Sequence, residues 1–264
     1  MARIALGLEY DGSGFCGWQT QPGACAVQDH LERALAEVHS GPVATVVAGR
    51  TDAGVHAAAQ VVHFDAEHDR PVSAWVRGVN ALLPAGVSVL WAQPVGEEFH
   101  ARFGARERAY RYVLLNHPVR PALMAGRVGW QHAPLDVAAM AEAATHLLGS
   151  HDFSAFRAAQ CQARTPVREL RQVRVAQHGH YVVFDFRGNA FLHHQVRNMV
   201  GALVWIGLGR RPPAWLGELL AGRDRRQAAA TYAPDGLYLV DVRYDAQWNL
   251  PEFDGRVPLL NIEP

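Results

Sequence analysis

The residues best suited to chemistry lie in the segment AGRTDAGVHA, residues 48–57. A single carboxylate, Asp52, follows Arg50 by two positions, between glycines that disfavour a helix and let another backbone approach closely. Catalytic groups often occupy such loops. Aspartate also favours turns for local reasons, through hydrogen bonds to its own backbone. A solvated turn is the simpler interpretation of the segment by itself, and a reacting carboxylate is the alternative.

A second candidate is the segment 99–116, FHARFGARERAYRYVLLN. Its arginines and tyrosines alternate along one face of a predicted strand, at Arg106, Arg108, Tyr110 and Tyr112. Arginine and tyrosine together offer phosphate contacts and a platform on which unpaired bases stack. The alternative is an ordinary exposed strand face.

Several kinds of chemistry are excluded by what the sequence lacks. The chain has 14 histidines but no HExxH motif, and we expect the adjacent His193 and His194 to point apart on either a helix or a strand. We therefore expect no metal site, and structural roles or contacts with RNA phosphates for these histidines. The sequence contains no GxSxG motif, so it does not indicate a serine hydrolase. All 25 basic residues are arginine, which excludes both a phosphate-binding loop ending in lysine and Schiff-base chemistry.

The arginines are concentrated in one stretch. Residues 157–226 contain 12 arginines and four acidic residues, a balance of +8, whereas the remainder has 13 arginines and 21 acidic residues, a balance of −8. Such a stretch is typical of a protein that binds a polyanion. A solvated arginine-rich face is the alternative. For a bound polyanion, we expect Arg164, Arg168 and His194 to be among the contacts.

The size and hydropathy of the chain favour a cytoplasmic protein. Its 264 residues fit one large domain or two of about 130. The longest apolar run, 199–209, is 11 residues long, well short of the roughly 18 needed to cross a bilayer. Glu9 and Asp11 come too early for a secretory signal. We therefore expect no membrane association.

The three cysteines predict free thiols rather than bonded ones. Cys16, Cys25 and Cys161 are odd in number and have no CxxC spacing. In a cytoplasmic protein this pattern favours buried thiols over disulfides or a thiolate metal site.

Hydrophobic periodicity predicts two α+β halves that must position these residues. The first half reads strand-helix-strand-strand-helix-strand, a ferredoxin-like split βαβ unit, at 3–12, 27–39, 43–49, 58–66, 73–84 and 87–95. The second half has strands at 108–116, 167–177, 181–187 and 236–244, and helices at 135–148, 191–208 and 213–221. We expect the halves, 1–105 and 106–246, to share a mostly antiparallel sheet. An irregular tail would follow at 247–264.

Ten segments in order resemble the TruA family of tRNA pseudouridine synthases and span almost the whole chain. They are EYDGSGFCGWQTQP (9–22), VQDHLERAL (27–35), AGRTDAGVHA (48–57), QVVHF (60–64), GVNALLP (78–84), FHARF (99–103), YRY (110–112), HDFSAF (151–156), FLHHQVRNMVG (191–201) and GLYLV (236–240).

The resemblance implies an RNA-modifying isomerase. Such an enzyme detaches uracil from ribose at N1, rotates it and rejoins it through C5 to give pseudouridine. Family members act at positions 38, 39 and 40 of the tRNA anticodon arm, in standard tRNA numbering. The resemblance further implies a homodimer without metal or organic cofactor, with two ferredoxin-like or RRM-like halves around a basic active-site cleft.

The resemblance also assigns roles to individual residues. Asp52 matches the catalytic aspartate, either as a nucleophile toward C1′ or uracil C6, or as a group that removes a proton from the sugar. Arg197 matches the arginine that pairs with this aspartate and keeps it ionised. Tyr110 matches the active-site tyrosine that stacks on uracil, and Leu237 an apolar wall of the pocket. Arg50 matches an arginine that contacts RNA and helps to extrude the target base.

Two other functions are alternatives to this one. A catalytically silent tRNA-binding protein on the same scaffold would be indicated by loss of Asp52, Arg197 or Tyr110, and all three are present. A metal-dependent nuclease would need clustered carboxylates such as DxD or ExD near the basic stretch, and none occurs there.

Overall fold

The computed structural model describes residues 2–68, 70–253 and 257. Within them the ten strands are β1 Ala2–Tyr10, β2 Val46–Val47, β3 His56–Ala66, β4 Val87–Val95, β5 Glu107–Asn116, β6 Gly129–Gln131, β7 Gly149–Asp152, β8 Val167–His178, β9 Tyr181–Gly188 and β10 Leu237–Arg243. The four α-helices of these residues are α1 Val27–His39, α2 Val137–Ala144, α3 Gln195–Gly207 and α4 Trp215–Gly222. Two compact units result, Met1–Arg106 with Tyr238–Pro264, and Glu107–Leu237. We call them unit 1 and unit 2.

Unit 1 is built on the strand order β4-β1-β3-β10, with β2 paired to β3. β1 is antiparallel to both of its neighbours, and β10 runs parallel to β3, with Tyr238 opposite His56. β1 is buried along most of its length, which fits a strand flanked on both sides. Residues 238–243 belong to unit 1 through this pairing, although their place in the sequence follows the C-terminal half.

Unit 2 is built on the antiparallel order β5-β9-β8-β7, and β6 adds to β5 in parallel. α2 packs against α3 and β8. α3 is buried on almost every side, as an apolar helix should be, and Met199, Val200 and Leu203 are fully buried. The prediction of an α+β fold with mostly antiparallel strands is confirmed.

Most expected elements are present, although the helix expected at 191–208 begins only at Gln195. Two other elements differ for identifiable reasons. The strand expected at 43–49 is reduced to Val46–Val47, because the Thr45 N–H donates to the Glu32 carboxylate (2.7 Å) instead of to a strand. The helix expected at 73–84 contains a π-helical segment, Ala74–Gly78. It does not continue to residue 84, since Pro84 disfavours helical backbone in the residue before it.

The expected irregular tail is only partly described. Ala246–Trp248 form a short 3-10 helix. Residues 254–256 and 258–264 of the expected tail lie outside the described residues.

The prediction that the cysteines are free was wrong for two of them. Cys16 and Cys25 form a disulfide, with their Cα atoms 5.4 Å apart. The turn between them also joins the two residues through their backbones, since the Cys16 N–H donates to the Cys25 carbonyl (3.0 Å). The odd cysteine count did not reveal this local closure, and Cys161 is a free thiol.

None of the helices in the described part of the chain is both long enough and apolar enough to cross a bilayer.

Candidate active site

The loop that carries Arg50 and Asp52 connects β2 to β3 in unit 1. Arg50 is exposed, whereas Asp52 is half-buried. The Asp52 carbonyl accepts a hydrogen bond from the Val55 N–H (3.1 Å), which closes a turn. Gly54 has φ +78°, a conformation that favours glycine. The loop is thus a turn, as its composition predicts, and it also holds the carboxylate partly out of water.

Two glycines of the segment 9–22 let this loop pack closely against the preceding turn. A Cβ on Gly12 would lie 2.0 Å from the Val55 carbonyl oxygen. A Cβ on Gly17 would lie 2.8 Å from the Thr51 carbonyl oxygen and 3.0 Å from the carbonyl carbon of Asp52. Real Cβ atoms do not approach so closely, so both positions require glycine. The backbone of Asp52 is therefore held in place by a second loop.

Further contacts fix the two ends of the Asp52 loop. The Thr51 carbonyl accepts from the Trp18 N–H (3.0 Å). At the other end, the buried His56 ring lies parallel to the Tyr238 ring, with centroids 4.6 Å apart. Nδ1 of His56 accepts from the Gly12 N–H (3.0 Å).

In unit 2, Arg197 lies in the first turns of α3 and is half-buried. Its Nε donates to the Tyr232 carbonyl (2.8 Å), and the Tyr232 N–H donates back to the Arg197 carbonyl (3.2 Å). A Cβ on Gly201 would lie 2.4 Å from the Ala230 carbonyl oxygen, so α3 approaches this segment closely. These contacts orient the guanidinium of Arg197.

Asn198, the next residue of α3, fastens the helix to three other segments. Its fully buried amide donates to the Phe156 carbonyl (2.7 Å). Its Oδ1 accepts from the Thr231 hydroxyl (2.7 Å) and from the Arg225 guanidinium (3.0 Å). A buried side-chain amide with this many partners fixes the position of the helix.

Tyr110 lies on β5 and is 9% exposed. Its ring meets the Phe191 ring edge-on, with centroids 5.0 Å apart. Tyr112, two residues along, is fully buried and donates its hydroxyl to the Ala233 carbonyl (2.9 Å). Burial raises the pKa of Tyr112 well above its usual value. Tyr112 is therefore a structural residue.

The arginines of the same segment are already engaged. The Arg106 guanidinium makes a two-pronged ion pair with Asp245 in unit 1. Arg108 is buried and donates to the Asn189 carbonyl (2.9 Å) in unit 2. The alternative of an ordinary exposed strand face was wrong, because most of β5 is buried. The expected contacts of this segment with phosphates and bases stay a prediction.

His193 and His194 do not point apart. Their ring centroids are 4.0 Å apart, because His194 has φ +62° and belongs to neither a helix nor a strand. Leu237, at the start of β10, is buried, and its N–H donates to the Pro234 carbonyl (2.8 Å). His194 and Leu237 belong to unit 2, as do Tyr110 and Arg197.

Much of the positive charge in residues 157–226 is used within unit 2. Arg168 donates to the Thr165 carbonyl (2.9 Å), and burial lowers its pKa. Other arginines of the stretch make ion pairs with nearby carboxylates, namely Arg171, Arg187, Arg223 and Arg226. Arg164 and Arg174 are exposed. The net charge of +8 therefore overstates the charge available to a polyanion, and Arg164 fits a phosphate contact better than Arg168.

The sequence did not single out the residues that support this site. Thr51, Tyr10 and Gln60 form a buried cluster beside Asp52, and Asn198 lies beside Arg197. A polar residue between apolar neighbours of a strand, as at Gln60, is the signal that could have found the cluster.

Comparison with known proteins shows the family to which the chain belongs. A family model described as tRNA pseudouridine synthase matches residues 8–104 and 143–245, which is more than half of the chain. The chain therefore belongs to the tRNA pseudouridine synthase family. The predicted enzyme class is confirmed.

Close relatives narrow the assignment within that family. A protein of Thiobacillus denitrificans named tRNA pseudouridine synthase A is 62% identical over 258 residues, covering 98% of this chain and 99% of the relative. A protein of the same name from Paraburkholderia phytofirmans is 61% identical, covering 95% and 93%. A third, from Methylobacillus flagellatus, is 59% identical, covering 94% and 95%. The resemblance to the TruA family is confirmed.

Proposed function

We propose that this enzyme converts uridine to pseudouridine at positions 38–40 of the tRNA anticodon stem-loop and that Asp52 is its catalytic carboxylate. The observation that carries the proposal is the half-buried Asp52, held on a loop whose backbone packs against Gly12 and Gly17. Pre-organisation of this kind is what a reacting group needs and a solvated turn does not. Membership of the family disfavours a catalytically silent tRNA-binding protein.

The reaction is an isomerisation in which one bond is exchanged for another. The C1′–N1 bond breaks, the C1′–C5 bond forms, C5 loses its proton and N1 gains one. Asp52 acts as a nucleophile toward C1′ or C6 of the target uridine, or it removes a proton from the sugar. The bond exchange has no net oxidation, and we propose that neither metal nor cofactor takes part.

The other site residues have supporting roles in this proposal. Arg197 pairs with the Asp52 carboxylate and aims it, a role for which its guanidinium is already oriented by the Tyr232 carbonyl. Tyr110 supplies a ring against the uracil, and Leu237 an apolar wall. Arg50, exposed on the catalytic loop, contacts the RNA and helps to extrude the base.

We also propose the surroundings in which this reaction takes place. Arg164, Arg168 and His194 contribute contacts with the tRNA arm, Arg164 most directly because it is exposed. The enzyme acts as a cytoplasmic homodimer, a proposal that rests on the family resemblance. Light scattering on the purified protein would test the dimer, and a monomer mass at micromolar concentration would contradict it.

The test of Asp52 compares two carboxylates of unit 1. Asp52→Asn keeps the size of the side chain but removes its charge, and we expect no tritium release from tRNA labelled at uracil C5 while tRNA binding is retained. Asp65→Asn is the control, because this carboxylate is exposed and pairs with Arg3. Turnover by Asp52→Asn comparable with that of Asp65→Asn would remove Asp52 from the reaction.

Two substrate changes test the remaining parts of the proposal. A transcript with cytidine at positions 38–40 and every other uridine retained should release no tritium. Deuterium at the ribose 2′ carbon should slow the reaction if Asp52 removes a sugar proton and should leave the rate unchanged if Asp52 attacks C1′ or C6.

A further inference from the structure

A buried polar cluster lies beside the Asp52 loop in unit 1. The Tyr10 and Thr51 hydroxyl oxygens are 2.8 Å apart, and the Gln60 amide donates to the Tyr10 oxygen (3.1 Å). The three residues are 4%, 7% and 0% exposed. The cluster is therefore shielded from water, where its hydrogen bonds are strengthened and its geometry is restricted.

The cluster forms hydrogen bonds with the loop on both sides of Arg50. Besides the bond to Tyr10, the Gln60 amide donates to the Gly49 carbonyl (2.8 Å). Thr51 is the residue immediately before Asp52. The cluster thus fixes the residues that flank Arg50, and through Thr51 it fixes the start of the Asp52 backbone.

The cluster is anchored in rigid elements. Tyr10 is the last residue of β1 and Gln60 is inside β3, and these strands pair antiparallel, with Leu8 opposite Gln60. The loop is therefore tied through side chains to the central strands of unit 1.

Stability alone does not require this chemistry. A buried polar group that finds partners gains little over an apolar group of the same shape, so phenylalanine and valine would fill the positions of Tyr10 and Thr51 about as well. What the hydroxyls add is a fixed distance and direction between the strands and the loop.

We infer that Tyr10 and Thr51, supported by Gln60, are positioning residues that hold Asp52 and Arg50 in their reactive arrangement. The inference rests on the proposed role of Asp52. It goes beyond that role by assigning a function to residues that do not touch the substrate. Misplacing a reacting group by about 1 Å can lower a rate by about 100-fold, so loss of the cluster should act on turnover rather than on tRNA binding.

The test uses substitutions that keep the shape and remove single atoms. Thr51→Val and Tyr10→Phe each delete one hydroxyl, and we expect kcat to fall by about 10- to 100-fold with KM for tRNA changed less than about twofold. Thr51→Ser retains the hydroxyl, and we expect it to keep kcat within about threefold of the wild type. A role in filling space alone would give the opposite order, since valine fills the site better than serine.

A double variant tests whether the two hydroxyls act together. If they form one unit, Tyr10→Phe/Thr51→Val should have about the kcat of the slower single variant rather than the product of the two losses. Urea unfolding of each variant, compared with the wild type, checks that the chains fold.

The possible failures can be told apart. Wild-type kcat in folded Thr51→Val and Tyr10→Phe, with Asp52→Asn inactive, would overturn the positioning role and leave the proposed function standing. An effect on KM alone, multiplicative losses in the double variant, or no rescue by Thr51→Ser would also overturn it. An active Asp52→Asn would instead overturn the proposed function on which the inference rests.

Discussion

Gly17 offers a direct test of whether the backbone packing around Asp52 matters for turnover. A methyl group at Gly17 would meet the Thr51 carbonyl oxygen at 2.8 Å and the Ala53 nitrogen at 3.0 Å. Both partners are backbone atoms on either side of Asp52, so the contact can be relieved only if one loop moves. Gly17→Ala should therefore displace the carboxylate.

The expected loss of stability in Gly17→Ala has two parts, backbone strain and a steric clash. Substitutions at two other glycines separate them. Gly17 has φ +94°, and an L-residue in left-handed backbone costs about 1–2 kcal/mol. Gly23 has φ +105° but no atom within 4 Å of the added Cβ, so Gly23→Ala carries that cost without the clash. A Cβ added at Gly14 would have no atom within 4 Å, and the φ of Gly14 is not in the left-handed range. Gly14→Ala should therefore cause neither the backbone strain nor the clash. The clash adds about 1–3 kcal/mol of overpacking at Gly17.

The assay measures the free energy of unfolding in urea and tritium release per folded enzyme for all three variants. We expect Gly14→Ala to match the wild type and Gly23→Ala to lose stability but keep kcat. Gly17→Ala should lose more stability and should lower kcat by about 10- to 100-fold, since the loop is displaced by a fraction of an ångström to 1 Å. Equal kcat for Gly17→Ala and Gly23→Ala would refute the reasoning, because the clash at Gly17 would then have no effect on turnover through the proposed catalytic carboxylate of Asp52.

Two further predictions concern stability. Burial, with Arg3 and His100 nearby, lowers the pKa of His63 to about 4. Between pH 6.5 and 4, the His63 side chain therefore stays neutral in the folded protein but binds a proton in the unfolded chain. The free energy of unfolding should therefore fall by about 3 kcal/mol as the pH drops through this window. In urea unfolding at pH 7 and 4.5, the free energy of unfolding of His63→Asn should change less with pH than that of the wild type. An equal change in both proteins would contradict the lowered pKa of His63. The Cys16–Cys25 disulfide joins residues nine positions apart, and its reduction should lower the free energy of unfolding by about 2–3 kcal/mol, an effect absent in Cys16→Ser/Cys25→Ser. Identical unfolding curves with and without reductant for the wild type would count against the bond.

The sequence predicted the elements best where one physical signal dominates. The helix expected at 27–39 from periodic apolar residues is α1, Val27–His39. The strand expected at 87–95 is β4, Val87–Val95. The short strands Gly129–Gln131 and Gly149–Asp152 were missed, because three or four residues carry no readable period and depend on partners distant in sequence.

The charged residues were harder to interpret from composition. Arginines counted as a surface for a polyanion include Arg225, which donates to the Ala229 carbonyl and to Asn198 within unit 2. A count of charges cannot distinguish such a structural guanidinium from an exposed one like Arg164, because the distinction is set by the fold around each side chain.

The Asp52 loop shows why a candidate site residue can be proposed from sequence while the residues that support it cannot. The aspartate is recognisable because its motif is local and contiguous. What makes it more than a turn comes from elsewhere in unit 1. Gly17 lies 35 positions earlier and Tyr10 lies 41 positions before Thr51. The sequence does not show that position 17 requires glycine or that Tyr10 and Thr51 need their hydroxyl groups. The atoms that impose these requirements come close only when the chain folds and β1 pairs with β3. The variants at Gly17, Tyr10 and Thr51 therefore test the same physical claim from two sides, one through backbone contact and the other through hydrogen bonds. If both sets lower kcat and leave tRNA binding intact, the proposed reactivity of Asp52 depends on the strands that support the loop as much as on the loop itself.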